Sequence, residues 1–217
     1  MFPYIVPHKQ QSFERMLRYF GLTEFFHPAS ASDIRSLTFS KANIVQHKGD
    51  SRVIVTESDT NKVKIVYNSS CLAHYCVACS TELDPSGDGV FWEVKLKHHV
   101  WYNWVFLGIA GNLDLREEIF TDSTSYGWTH NNNIVKGKPV AYGSSDGMSD
   151  FGQGESLYFS LKANRLKMHR IQKNKTFVID DIGTNDTRKF YFHIGLVHNG
   201  TTVTLKPLDA QKRVVFD

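Results

Sequence analysis

Three cysteines crowd one short run, Cys71, Cys76 and Cys79, with His74 among them. Thiolates and an imidazole are donors that suit zinc. A structural zinc site needs two separated ligand pairs, and the chain holds no second cysteine pair. On a strand, Cys71 and Cys79 face one way while Cys76 and His74 face the other, and buried free cysteines pack as small hydrophobes. His98-His99 titrate in the range of acid–base work, and Ser123, Ser125, Ser144 and Ser145 are nucleophile types in predicted loops. No Gly-x-Ser-x-Gly elbow accompanies them, and no base with an orienting partner can be named. Asp146-Gly147 and Asp180-Asp181 lack the spaced oxygen ligands of a calcium loop. Glu93 and Glu155 would have to meet across a sheet face to act as a glycosidase pair. The glycine-rich segment 143–154 lacks the Lys-Ser/Thr ending of a phosphate loop. The expectation is no metal, no cofactor and no enzymatic activity.

A second set of residues suits recognition better. Trp101, Tyr102, Tyr126, Trp128, His130, Asn131, Asn132 and Asn133 are aromatic, imidazole and amide side chains in predicted loops. Protein interfaces combine Trp and Tyr anchors with adaptable polar neighbours. Trp128 and Tyr126 have an alternative role as plugs at the end of a sandwich. As anchors, either could be cut to alanine with loss of partner capture and little change in thermal midpoint. As plugs, they would take stability with them.

The elements that must position these loops read as strands. In 89–96, Val90, Trp92, Val94 and Leu96 share one face, and Phe91, Glu93 and Lys95 the other, as a strand with one buried face requires. Residues 104–110 are nearly all apolar, as in a strand covered on both sides. The two are predicted to pair as a central hairpin. Further strand signals fall at 37–39, 42–45, 52–56, 62–67 and 71–80. After the central pair, 156–161 and 165–169 form a predicted hairpin through Lys162-Ala163-Asn164, followed by a strand at 175–179. Residues 190–197 and 201–205 are expected to pair across His198-Asn199-Gly200, because Asn-Gly between apolar runs is a strong hairpin signal. Strands at such regular spacing predict an all-β sandwich or barrel. Near the start, Ser12 can cap a short helix in which Phe13, Met16, Leu17 and Phe20 recur at helical spacing before Gly21.

The totals restrict the functional classes. Hydrophobic content of 41% and charged content of 22% are those of a globular protein. A net charge of +3, with Lys and Arg scattered, gives no footprint for nucleic acid. No apolar run reaches the roughly 18–20 residues that span a bilayer, so membrane insertion is not expected. An odd, clustered set of cysteines and the lack of a signal-peptide pattern predict an intracellular, cytoplasmic setting. Asn68, Asn174, Asn185 and Asn199 open N-x-S/T sequons that such a setting leaves unused.

At this point the residues resemble a known family. Gly89-Val90-Phe91-Trp92-Glu93-Val94, then Leu107-Gly108-Ile109-Ala110, are similar to the signature strands of the SPRY domain. Tyr126-Gly127-Trp128, Tyr142-Gly143 and Gly154-Glu155-Ser156-Leu157 resemble its later landmarks in order, and 190–208 its closing strands. The likeness covers about residues 37–210. Departures are Gly154-Glu155 in place of Gly-Asp, and Lys162-Ala163-Asn164-Arg165 in place of a turn with Asn-Gly. The resemblance implies a bent antiparallel β-sandwich, SPRY- or concanavalin-like, occupying 34–217 behind an N-terminal extension, 1–33, that carries the short helix. It also implies a non-enzymatic module that binds a protein or peptide through loops at one end, as a substrate receptor of a ubiquitin ligase or an immune sensor. The alternative is a lectin-like sandwich that binds a glycan.

Overall fold

Alternating and doubly apolar strands cannot lie in one layer without exposing the second kind, so the chain needs two sheets. The computed structural model describes residues 37–45, 53–59, 61–68, 75–85, 88–98, 105–113, 122–130, 134–137, 151, 153–183, 189–197 and 199–217. All of these fall in one unit, Ser36–Asp217. The predicted N-terminal helix lies outside the described residues, as does Cys71.

Thirteen strands are present among the described residues: β1 (Ile44–Val45), β2 (Val53–Asp59), β3 (Lys62–Tyr67), β4 (Tyr75–Cys79), β5 (Val90–His98), β6 (Val105–Ala110), β7 (Tyr126–Thr129), β8 (Ile134–Lys136), β9 (Ser156–Lys162), β10 (Arg165–Arg170), β11 (Lys175–Ile179), β12 (Tyr191–Leu196) and β13 (Thr202–Pro207). They form an antiparallel six-stranded sheet, β1-β4-β12-β6-β7-β8, and an antiparallel seven-stranded sheet, β11-β10-β9-β5-β13-β3-β2. The fold is thus an all-β sandwich, as the strand spacing predicts. Residues 37–39 form no strand; Leu37 and Phe39 are buried all the same, pinned where Asn61 accepts from the Phe39 amide and donates to Leu37 O.

Two predicted hairpins are corrected. β5 and β6 lie in different sheets, and so do β12 and β13. Each pair is an arch that crosses the sandwich. The reason is the difference in burial: β5 has a polar outer face carrying Lys95 and Lys97, whereas all six residues of β6 are buried. Side by side in one sheet, those lysines would lie against a dry surface. At the second arch Gly200 takes the positive φ (82°) that the turn signal implies. Its amide, however, donates to Tyr67 O, and Tyr67 N–H donates to Thr201 O, so the turn is tied to the end of β3 rather than closing a ladder with β12. The arches stack: β5 pairs with β13 in one sheet and β6 with β12 in the other. The predicted β9–β10 hairpin is present. Its two-residue turn has Ala163 and Asn164 both at positive φ (47° and 61°), the geometry that suits the twist of the flanking strands.

Between the sheets, Trp92 stacks on Phe159 (5.4 Å, 10°) and meets Phe192 edge-on (5.3 Å); Phe159 also contacts Phe192 (5.8 Å) and Trp128 (6.1 Å). Two of these rings come from each sheet, and all four are buried. At one end of the seven-stranded sheet, Glu155 and Arg170 form a buried bidentate pair, with Nε and Nη2 donating at 2.9 and 2.8 Å. Leu96 N–H donates to Glu155 O, and Gly154 N–H donates to Leu96 O, which anchors the carboxylate's backbone to β5.

Breaking such a pair leaves a charge stranded, which costs about 3–5 kcal/mol, whereas removing both charges together is close to neutral. Arg170→Met is therefore expected to lower the unfolding free energy by that amount in urea titrations. Glu155→Leu/Arg170→Met should recover most of the loss.

Candidate functional site at one end of the sandwich

The residues expected to bind a partner are carried by β6, β7 and their connections. β6 and β7 come unusually close because Gly108 faces Gly127 in register. A Cβ on Gly127 would sit 2.5 Å from Leu107 O and 2.6 Å from Gly108 Cα, so neither strand can carry a side chain there without moving apart. The ring of Phe106 lies over both glycines and fills the gap.

This close pairing settles where the aromatic residues of β7 point. Trp128 turns into the core, fully buried against Phe159, and does not reach the surface. Of its two expected roles, anchor and plug, its place is the plug. Tyr126 is half-buried at the start of β7, edge-on to Phe190 at 6.3 Å. His130 follows the end of β7, half-buried, its ring edge-on to buried Phe151 at 5.7 Å. Four residues of extended chain separate Tyr126 from His130, roughly 13 Å at the usual rise. They therefore stand at opposite ends of the sandwich.

His130 N–H donates to Val105 O at 2.9 Å. That bond sets the end of β7 beside the start of β6. The predicted residues thus divide by strand direction. Trp101 and Tyr102 belong to the connection from β5 to β6, and Asn131 and Asn132 to the one from β7 to β8. These four lie outside the described residues. At the Tyr126 end, a short network orders the approach to β7: Asp122 accepts from Thr124 N–H and from its hydroxyl, and Thr124 Oγ1 accepts from Gly111 N–H at 3.0 Å.

The chemical candidates take other places. Glu155 is sealed against Arg170, while Glu93 sits on the outer sheet face, 3.3 Å from both Lys206 and Lys212. Arg165 holds Asp180 at 2.7 Å. Ser125 is buried and Ser123 exposed. Cys79 packs in the core, where burial raises its thiol. Cys76 faces the other way, its Sγ 3.4 Å from His193 Nδ1, and burial pushes its thiol up to about 12. No group of three metal-ligating side chains occurs among the described residues, and none of their helices is long and apolar enough to cross a membrane.

His193 was not among the expected residues. It is fully buried on the outer face of the six-stranded sheet, between Gly108 and Ala78 on the flanking strands. Burial lowers its pKa to about 4, against smaller upward effects from the Asn112 backbone and Asp122. Also missed was a row of lysines around Thr204 on the outer face of the seven-stranded sheet. Alternation of Lys62 and Lys64, and of Lys95 and Lys97, was the signal available for it.

The architecture is that of an antiparallel two-sheet sandwich with crossing arches. Within that class the fold is SPRY-like. The SPRY domain of human HERC1 aligns with 79% of this chain and 98% of its own length at a TM-score of 0.56 and 11% identity. The PSpry domain of TRIM65 aligns with 81% of this chain and 93% of its own length at 0.51 and 16%. No family model and no curated protein sequence matches the chain.

Two outcomes follow. Trp128→Ala is expected to cost about 3–5 kcal/mol, as for buried aromatics generally, seen as a large drop in thermal midpoint; Tyr126→Ala and His130→Ala should cost far less. For His193, the folded pKa lies below the ordinary 6.5. Between those values the unfolded chain binds a proton that the folded chain refuses, so stability is full above pH 6.5 and falls as pH drops toward 4. The full effect is about 3 kcal/mol. Thermal melts from pH 7 to 5 should show the fall, and His193→Gln should flatten it, leaving the smaller contribution of His169, which burial also lowers.

Proposed function

We propose that this chain is a protein-recognition module that binds a partner segment through the connections at the His130 end of the sandwich. The observation that carries this reading is the His130–Val105 bond, which sets the end of β7 beside the start of β6. Trp101-Tyr102 precede one of these strand ends in the sequence and Asn131-Asn132 follow the other, and aromatic anchors with amides are the combination that protein interfaces favour. The SPRY-like fold supports the same reading. Trp128 contributes by bracing β7 from inside, and Tyr126 stands at the far end. We assign residues 34–217 to the recognition domain and 1–33 to an extension preceding it. The setting we infer is intracellular, with the module serving as a substrate receptor for a ubiquitin ligase or as an immune sensor.

Peptides selected on the purified protein from a random display library provide the test. A selected peptide should bind the wild type saturably and lose at least tenfold in affinity with Trp101→Ala or His130→Ala, at unchanged thermal midpoint. Tyr126→Ala should bind as the wild type does. Loss of binding in Tyr126→Ala alone would move the site to the opposite end, and saturable binding on a glycan array with no peptide selected would overturn the reading in favour of a lectin.

A further inference from the structure

The outer face of the seven-stranded sheet is divided in two. Over β9 and β10 it is covered by the C-terminal 3-10 helix Ala210–Phe216, where Phe216 packs on Phe91 (6.0 Å) and His169 (6.4 Å), and Lys167 Nζ donates to Phe216 O. Over β13, β3 and the rest of β5, none of the described elements covers it. There Lys62, Glu93, Lys95, Lys97, Thr204 and Lys206 line a groove of about 210 Å³.

The charge in this groove is not balanced from within the described residues. Glu93 is engaged by Lys206 and by Lys212, each at 3.3 Å, and Lys212 is held in turn by Asp209 at 3.1 Å. That leaves Lys62, Lys95 and Lys97 with no carboxylate partner among the described residues. Their positions follow from register. Thr204 lies between Lys64 on β3 and Lys95 on β5, and Lys97 sits at the bulge where the β5–β13 register slips beside Thr202 and Val203. Bulges redirect side chains in this way. At the floor, Thr204 is 5% exposed and its Oγ1 is buried with no hydrogen-bond partner among the described residues. An unsatisfied buried hydroxyl and clustered like charges both oppose folding, and one anion would relieve both.

We propose that this groove is an oxyanion site for a phosphate monoester, with Lys62, Lys95 and Lys97 supplying charge and Thr204 a hydroxyl donor. A carboxylate needs one cation; three ammonium groups around a hydroxyl match a dianion with three acceptor oxygens. Lysine binds phosphate as a point charge, which an open sheet face permits without the planar fork geometry that arginine imposes. The groove is smaller than the roughly 300–1,000 Å³ pockets that enclose whole small-molecule ligands, so it fits the phosphoryl group rather than the body that carries it. A soluble phosphate and a lipid headgroup share this chemistry.

Inorganic phosphate titrated into the full chain at low, constant ionic strength, followed by NMR, provides the test. The amides of Lys64, Lys95, Thr204 and Lys206 are expected to shift saturably. Lys62→Gln/Lys95→Gln should weaken the apparent Kd at least tenfold, and Thr204→Val several-fold without lowering the thermal midpoint, while Lys173→Gln on a distant turn should change nothing. Sedimentation with phosphatidylcholine vesicles, with and without phosphatidic acid, identifies the source: pelleting that free phosphate competes away marks a headgroup, and no pelleting marks a soluble phosphate. Shifts that stay linear, that chloride reproduces at equal ionic strength, or that survive in Lys62→Gln/Lys95→Gln would overturn the proposal. So would vesicle binding that phosphate does not compete.

Discussion

Four aromatic rings hold the two sheets in register with one another. Trp92 and Phe159 come from adjacent strands of the seven-stranded sheet, and Trp128 and Phe192 from the six-stranded sheet. Their contacts run across the gap as well as along it, so neither sheet can slide without breaking ring contacts. Large rings carry most of the burial energy in such a core. The indole nitrogens of Trp92 and Trp128 are buried without a partner among the described residues, a cost of about 1–3 kcal/mol each for an unsatisfied donor. That cost shows what the site selects for, which is the area and shape of the rings rather than their polar ends.

The stacked arches follow from this packing. β5 brings Trp92 to one side and β6 then crosses to the other; β12 brings Phe192 and β13 crosses back. Because β5 pairs with β13 and β6 with β12, each crossing is braced by the other's hydrogen bonds. The two sheets then differ in their outer faces. The six-stranded sheet is buried there too, with Ala78, Phe106, Ala110, Thr129, Val135 and His193 all nearly inaccessible, and it uses Gly108 and Gly127 where the strands and the Phe106 ring press close. The seven-stranded sheet presents lysines to solvent, Lys95 and Lys97 among them. Charge can collect only on the second.

Much of this was legible in the residues. Alternation in 89–96 gave the faces of β5 correctly, and the unbroken apolar run gave a β6 covered on both sides. What alternation cannot give is the partner. A strand with one polar face and a strand with none are each consistent with a hairpin until one asks which outer face they would share, and that question has a physical answer only once the second covered face is known. Asn199-Gly200 misled for a related reason. The dipeptide specifies backbone at positive φ, which it has, but a turn of that shape serves an arch as well as a ladder when its amide finds Tyr67 instead of β12. Trp128 shows the same limit at a single residue, since its type suits an interface anchor and a core plug equally. Only the alternation of β7 opposite the Gly108–Gly127 contact decides between them.

Strand direction then separates what sequence proximity had joined. Tyr126 and His130 are four residues apart, and in a loop they could have formed one patch. On a strand they are sent to opposite ends, and His130 is instead joined by a backbone bond to Val105, a residue 25 positions earlier. Strand ends far apart in the chain, the end of β7 and the start of β6, thereby lie side by side. The arch from β5 to β6 is what makes this possible: a hairpin would have kept β6 beside β5 in one sheet, whereas a crossing puts it beside β7 in the other. The packing of four buried rings thus goes together with the arch that decides which strand ends lie side by side.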